Sequence, residues 1–153
     1  MSNISISGKE DSRPLFSFSK IYYYCSLLKP RVMYLAIFTS IVGMLIAPGQ
    51  LSFVDSFLSI LAISIGSGAA GALNMWYEKD TDKLMERTKD RVLPLGLISL
   101  KGALVFGIVL SIISTALLYL ASNLFSAGLL GFTIFYYVFI YTIWLKKSTP
   151  QNI

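Results

Sequence analysis

The chain has 153 residues, 55% hydrophobic and 14% charged, with a mean hydropathy of +0.67, which excludes intrinsic disorder and points to lipid as its solvent. Thirteen Lys and Arg stand against eight Asp and Glu, and the placement of these charges decides between a nucleic-acid and a membrane surface as their partner. The absence of histidine excludes Ser-His and Cys-His nucleophile pairs, His-bearing zinc sites and His-ligated haem, while the lone Cys25 permits no internal disulfide and reads as a small apolar filler.

In chain order, residues 1–28 form a polar, Ser-rich cytoplasmic tail without the apolar core of a secretory signal, and Glu10 and Asp11 argue against a mitochondrial transit peptide. Within Met1–Lys20 the only order expected is a short interfacial piece around Phe16 and Phe18. Residues 29–153 read as one membrane domain. Between Val32 and Tyr77 the only charge is Asp55, and from Gly102 to Leu145 there is none. Each run exceeds the ~20 residues that one helix needs to cross a bilayer. Ala47-Pro48-Gly49-Gln50 interrupts the first run and Ala121-Ser122-Asn123 the second. An all-α integral membrane bundle follows, with four transmembrane helices over about 32–46, 53–76, 103–120 and 125–145 and a motif loop at 77–101.

The basic residues fix the orientation. Lys9, Arg13, Lys20, Lys29 and Arg31 precede the first span; Lys79, Lys83, Arg87, Lys89, Arg91 and Lys101 lie between the second and third; Lys146 and Lys147 follow the fourth. Both termini and the 77–101 loop are therefore expected in the cytoplasm, beside a bacterial plasma (inner) membrane. The positive charge is then a topology signal, and no nucleic acid is expected as a partner. Tyr22 to Tyr24, Trp76-Tyr77 and Trp144 fall where aromatic rings anchor at an interface.

Gly66-Ser-Gly-Ala-Ala-Gly71 matches a dinucleotide-binding signature letter by letter, but that loop requires a preceding strand. These glycines lie inside an apolar helical run. Ser64, Gly68 and Ala72 form one row four residues apart, and Ser67 and Gly71 another, as in closely packed transmembrane helices.

The 77–101 loop and its approach carry the chemistry. If the second helix continues past Trp76, Asn74, Glu78 and Asp82 line one face, drifting about 40° per step of four, while Asp80 points elsewhere. Oxygen donors without His or Cys select a hard cation, and Mg²⁺ takes one or two carboxylates while sharing its shell with water and phosphate. Lys83, Arg87, Lys89 and Arg91 would neutralise the other oxygens of a polyanion. The same residues equally fit a solvated loop whose acids and bases pair with one another.

Lys29-Pro30-Arg31-Val32, the run Ala72-Leu73-Asn74 through Glu78, Asp80 and Asp82, Met85-Glu-Arg-Thr88-Lys-Asp-Arg91, and Tyr141-Thr-Ile-Trp-Leu-Lys-Lys-Ser-Thr-Pro-Gln-Asn-Ile153 together resemble the haem O synthase (protoheme IX farnesyltransferase) branch of the UbiA prenyltransferase superfamily. The resemblance implies transfer of a farnesyl group from farnesyl diphosphate to a vinyl group of protohaem IX, with haem as substrate rather than cofactor. It places the first acidic motif, which would hold Mg²⁺ on the diphosphate, on Asn74, Glu78 and Asp82, with Asp80 a further metal candidate. Lys83, Arg87 and Arg91 become diphosphate-binding candidates; Lys29 and Arg31 are further ones, equally explained as topology anchors.

Val92 stands where relatives often carry Pro, and Leu97 where many carry a basic residue. Family enzymes have about nine transmembrane helices and a second Asp-rich motif in their later half. This chain is therefore expected to be an amino-terminal half, a partial UbiA-type bundle whose catalysis needs a carboxyl-terminal half. The alternative is a non-catalytic four-helix membrane subunit that assembles through its Ser64, Gly68 and Ala72 face.

Overall fold

The computed structural model describes residues 18–49 and 51–145. Lys9, Arg13, Phe16, Gln50, Lys146, Lys147 and the Thr149-Pro150-Gln151-Asn152 segment lie outside the described residues. The described chain is helical, with no strand among those residues: α1 (Phe18–Leu27), α2 (Pro30–Ile46), α3 (Phe53–Leu84), α4 (Leu100–Ala121) and α5 (Leu124–Phe135), which passes directly into a π-helix at Tyr136–Leu145.

Local chemistry sets the helix starts. Ser52, Ser99 and Asn123 each stand just before a helix in extended backbone, and their side-chain oxygens accept from the amides of Asp55, Gly102 and Ser126 at 3.1, 3.0 and 2.8 Å. Asp55 completes its own cap by accepting from the Ser52 hydroxyl at 2.7 Å, which accounts for a lone acid near the end of an apolar span. Pro30 opens α2, where its missing N–H costs nothing.

The structure departs from the expected elements in four places. The span predicted over 32–46 starts at Pro30 and is preceded by α1, an unforeseen helix that buries Leu27 against Ala72, Met75 and Leu93. A bend of 57° separates the two; alone, the 17 residues of α2 rise only about 25 Å against a hydrocarbon core of about 30 Å. Cys25 is exposed on α1 rather than filling a core. The helix predicted to stop near Trp76 runs to Leu84, a 32-residue rod about 48 Å long that must project from the bilayer. Finally, the second half of the span predicted as one α-helix over 125–145 is wound as a π-helix. There the Thr142 hydroxyl donates to the Tyr137 carbonyl, five residues back, at 2.8 Å. Such winding is rare and tends to occur at functional sites.

Three helices, α3, α4 and the continuous Leu124–Leu145 segment, are long and apolar enough to cross a membrane, and the bent α1–α2 pair makes a fourth if taken as one span. The chain is a membrane protein. α3 is its axis, touched by every other element. Its small residues from Ser64 to Ala72 are largely buried, so the letter-match to a nucleotide loop is a packing face. A side-chain carbon at Gly68 would sit 3.0 Å from Leu28, and one at Gly71 would sit 3.4 Å from the Leu28 carbonyl oxygen. On the other side, Gly107 of α4 admits Leu73: a carbon there would lie 2.7 Å from two atoms of the leucine side chain. Outward apolar residues such as Tyr34, Phe38, Ile112 and Phe132 are exposed, as lipid-facing positions are.

Gly107→Ala should therefore overpack the α3–α4 seam and cost about 1–3 kcal/mol. Gly128→Ala, where a new carbon meets nothing within 4 Å, should stay within about 0.5 kcal/mol of the parent. Thermal unfolding of both variants in detergent, followed by circular dichroism, checks the contrast.

Candidate functional site

The continuation of α3 beyond Trp76 puts Asn74, Glu78 and Asp82 on one buried row, with relative exposures of 2%, 8% and 3%. Asp80 is exposed and belongs to another face. Buried polar groups of this kind require partners, and distant segments supply them.

Asp82 is held by the loop that follows it. Thr88, itself buried, donates its hydroxyl to the Asp82 carbonyl oxygen at 3.0 Å. The backbone then turns twice, with the Thr88 amide bonded to the Met85 carbonyl and the Arg91 amide to that of Thr88. Those turns bring the Arg91 guanidinium back to the Asp82 carboxylate at 2.8 Å. Leu93 and Ile98 anchor the remainder of the loop in the core below α1.

Asn74 is held from two other directions. Its amide nitrogen donates to the Thr142 hydroxyl of the π-helix at 3.1 Å, and its oxygen accepts from the Lys29 ammonium. Lys29 stands at the α1–α2 bend in left-handed backbone, with φ of 50°, a conformation that costs a β-carbon-bearing residue roughly 1–3 kcal/mol. The bend aims its side chain at α3.

Lys83 and Arg87 are exposed outside the buried row, and Lys89 pairs at the surface with Glu86 at 2.5 Å. The structure thus brings Asn74, Glu78, Asp82 and Arg91 into the site and leaves Lys83 and Arg87 at its solvent edge. Val92 packs on the core and Leu97 is exposed.

Sequence patterning did not single out Thr88 or Thr142 as site residues. The signal for Thr142 was available, because it is the only non-aromatic hydroxyl in an apolar and aromatic stretch from Tyr136 to Leu145. Thr88 stood within the 85–91 segment that carries the family resemblance but with no role of its own, since its importance comes from a turn rather than a spacing.

Two cavities meet at Lys29. One, of about 240 Å³, is walled by apolar groups of α2, α3 and α5, among them Val32, Ile63, Gly66 and Leu130, and is also lined by Tyr137 and Lys29. The other, of about 380 Å³, lies between α1 and the motif loop and includes Tyr22, Tyr23, Asp90, Arg91 and Leu97.

The donor set suits a hard cation. Amide and carboxylate oxygens are the ligands Mg²⁺ prefers, and no three acidic side chains converge among the described residues, so water or phosphate must complete the shell. Successive members of the row rise about 6 Å along the helix. Neighbours in the row are near enough to share an ion, whereas Asn74 and Asp82, two steps apart, are not.

Residues 36–153 match the family model of the UbiA prenyltransferase family. The chain is similar to proteins named protoheme IX farnesyltransferase from Bartonella bacilliformis, at 51% identity over 98% of this chain and 49% of the relative. It is likewise similar to those of Rhodopseudomonas palustris, at 52% over 100% and 49%, and Rhizobium etli, at 56% over 85% and 41%. It spans about half the length, or less, of these curated relatives. No solved structure matches. A membrane bundle whose described residues are all helical or in turns, a buried Asn-and-acid row at the charged end of its central helix, and a family match over most of its length have one joint conclusion: the chain belongs to the UbiA prenyltransferase family.

Proposed function

We propose that this chain forms the first half of the active site of a haem O synthase, which joins the farnesyl group of farnesyl diphosphate to a vinyl group of protohaem IX. The observation that carries this reading is the buried Asn74, Glu78 and Asp82 row, whose Asn74 accepts from Lys29, a residue that also lines an apolar cavity. A diphosphate belongs at the polar row and an isoprenoid chain in the apolar cavity. The name shared by the bacterial relatives supports the choice of haem as acceptor.

In the reaction the allylic carbon–oxygen bond breaks, diphosphate leaves with the electron pair, a carbon–carbon bond forms to the vinyl group, and water adds a hydroxyl and releases a proton. Mg²⁺, when bound, would offset the charge that builds on the leaving diphosphate. The chain's own residues do the remainder. Asn74 and Glu78 contribute oxygens to the row, and Thr142, by accepting from the Asn74 amide nitrogen, fixes the orientation of that amide. Arg91 holds the Asp82 carboxylate in place, while Lys83 and Arg87 stand at the solvent edge to draw in a polyanion. Val32, Ile63 and Leu130 exclude water from the cationic carbon, which would otherwise be captured before the vinyl group reaches it.

We place the 77–101 segment and both termini in the cytoplasm of a bacterium, with the bundle in its plasma membrane, on the strength of the one-sided Lys and Arg distribution. Four helices wall one side of such a site; a second group of helices, covalently continuous or separate, supplies the other.

Expression in a bacterium lacking its own haem O synthase, with and without a carboxyl-terminal half from a relative, tests the proposal by chromatography of extracted haems. Haem O should appear when both halves are present, and its absence from that combination would remove the assignment. In the reconstituted enzyme, Asn74→Ala and Asp82→Ala should each lower output by about a hundredfold with membrane insertion unchanged; undiminished output from both would reject the acidic row as the metal site. Arg87→Glu should raise the KM for farnesyl diphosphate about tenfold and leave that for haem within twofold of the parent.

A further inference from the structure

Lys29 carries more than a topology signal. Its ammonium bonds the Asn74 oxygen, the atom that a cation at the head of the row would also need. The left-handed backbone at Lys29 and the 57° bend between α1 and α2 commit local strain to that placement. The residue also lines both cavities. Asn74 cannot turn away to escape the competition, because its amide nitrogen is fixed by Thr142 and the Thr142 hydroxyl is in turn committed to the Tyr137 carbonyl.

We propose that Lys29 is a positioning residue that acts as a built-in stand-in for the metal, occupying Asn74 in the resting site and moving to the diphosphate when metal and diphosphate bind together. This rests on the reading of the row as a metal-diphosphate site. The physics gives it a direction. A divalent ion alone must displace the ammonium from Asn74 and then tolerate a like charge nearby, which disfavours binding. A metal-diphosphate brings its own negative oxygens, whose charge-assisted contacts with the displaced ammonium are stronger than its bond to the neutral Asn74 amide. The site thereby discriminates against the bare ion and accepts it with its substrate. Flexible rotation about four side-chain carbons is enough for the exchange, and the backbone at the bend stays as it is.

The test measures binding to the chain reconstituted with a relative's carboxyl-terminal half in lipid nanodiscs, with Mn²⁺ alone as one probe and inorganic diphosphate with saturating Mg²⁺ as the other. Lys29→Gln should bind Mn²⁺ alone about threefold more tightly through relief of like-charge repulsion, and Mg²⁺-diphosphate about tenfold more weakly through loss of the ammonium contact. Lys29→Arg should bind Mg²⁺-diphosphate within about threefold of the parent, since it keeps the charge and can still reach an anion. Opposite signs for the two probes support the exchange, because a merely structural lysine would weaken both; loss of both, or no change in either, overturns it. As a check that needs no folded variant, the ¹³C-methylated Lys29 signal of the parent should shift on adding Mg²⁺-diphosphate, and a signal that stays fixed overturns the proposal. A parent chain that binds Mn²⁺ and Mg²⁺-diphosphate normally while the Lys29 outcomes fail removes this inference alone; a parent that binds neither removes the metal-diphosphate reading and this inference with it.

Discussion

Asn74 is buried, and both ends of its amide are spoken for by segments far away in the chain: the oxygen by Lys29 at the α1–α2 bend, the nitrogen by Thr142 in the π-helix. An amide left unpaired in such surroundings costs about 1–3 kcal/mol, and near lipid no water stands ready to replace a lost partner. The pair of bonds therefore joins α2, α3 and the last span at one level. The α1–α2 bend and the π-helical winding are the backbone forms that bring Lys29 and Thr142 to that level. A straight α1–α2 rod would not present Lys29 to α3, and an ordinary α-helical turn would present the Thr142 hydroxyl to the carbonyl four residues back rather than to that of Tyr137.

Polar bonds of this kind form only if the helices approach closely, and that closeness comes from missing side chains. Gly68 and Gly71 admit the α1–α2 junction at Leu28 and Lys29, while Gly107 admits Leu73, one residue before Asn74. The packing face and the site are thus consecutive stretches of the same helix. In lipid the helices gain little from hydrophobic burial, so close dispersion contact and interhelical hydrogen bonds carry the association. Ser64 to Ala72 supplies the first, and Asn74 begins the second.

The apolar spans, their breaks, the small-residue rows and the common face of Asn74, Glu78 and Asp82 were all legible in the sequence, because each depends on spacing within one segment. The extension of α3 to Leu84 was legible only as a condition, since the charged residues from Glu78 onward suit either a solvated loop or an exposed helix end. What patterning did not reveal joins residues distant in the chain. The Lys29–Asn74 and Asn74–Thr142 bonds link segments 45 and 68 residues apart, and no period connects them. α1 was hidden because its ten residues are too few and too polar to read as a membrane span; its helix is stabilised by Leu27 and Tyr24 packing on α3 and α4. The π-helix was hidden because the apolar and aromatic residues from Tyr136 to Leu145 fit either winding, leaving the hydrogen-bond register to decide.

Charge placement explains why the loop is ordered and the site remains receptive to anions. Asp82 and Arg91 neutralise each other at the root of the loop, and with one partner 3% exposed the pair is a structural brace: removing either charge alone would strand the other. Glu86 and Lys89, by contrast, form a solvated pair worth little to stability. With these two pairs set aside, Lys83 and Arg87 supply exposed positive charge beside the buried row, and Asp80 lies on a different face of the helix. A polyanion approaching from the water therefore meets positive charge first and the oxygen row afterwards. Long-range attraction at the edge is weakened by salt, with a screening length of about 8 Å at physiological ionic strength, whereas the buried contacts at Asn74 and Asp82 are screened far less. On the proposed reading, the capture of an anion and its final seating are separable in salt dependence, as expected when one set of charges lies in water and the other is enclosed between helices.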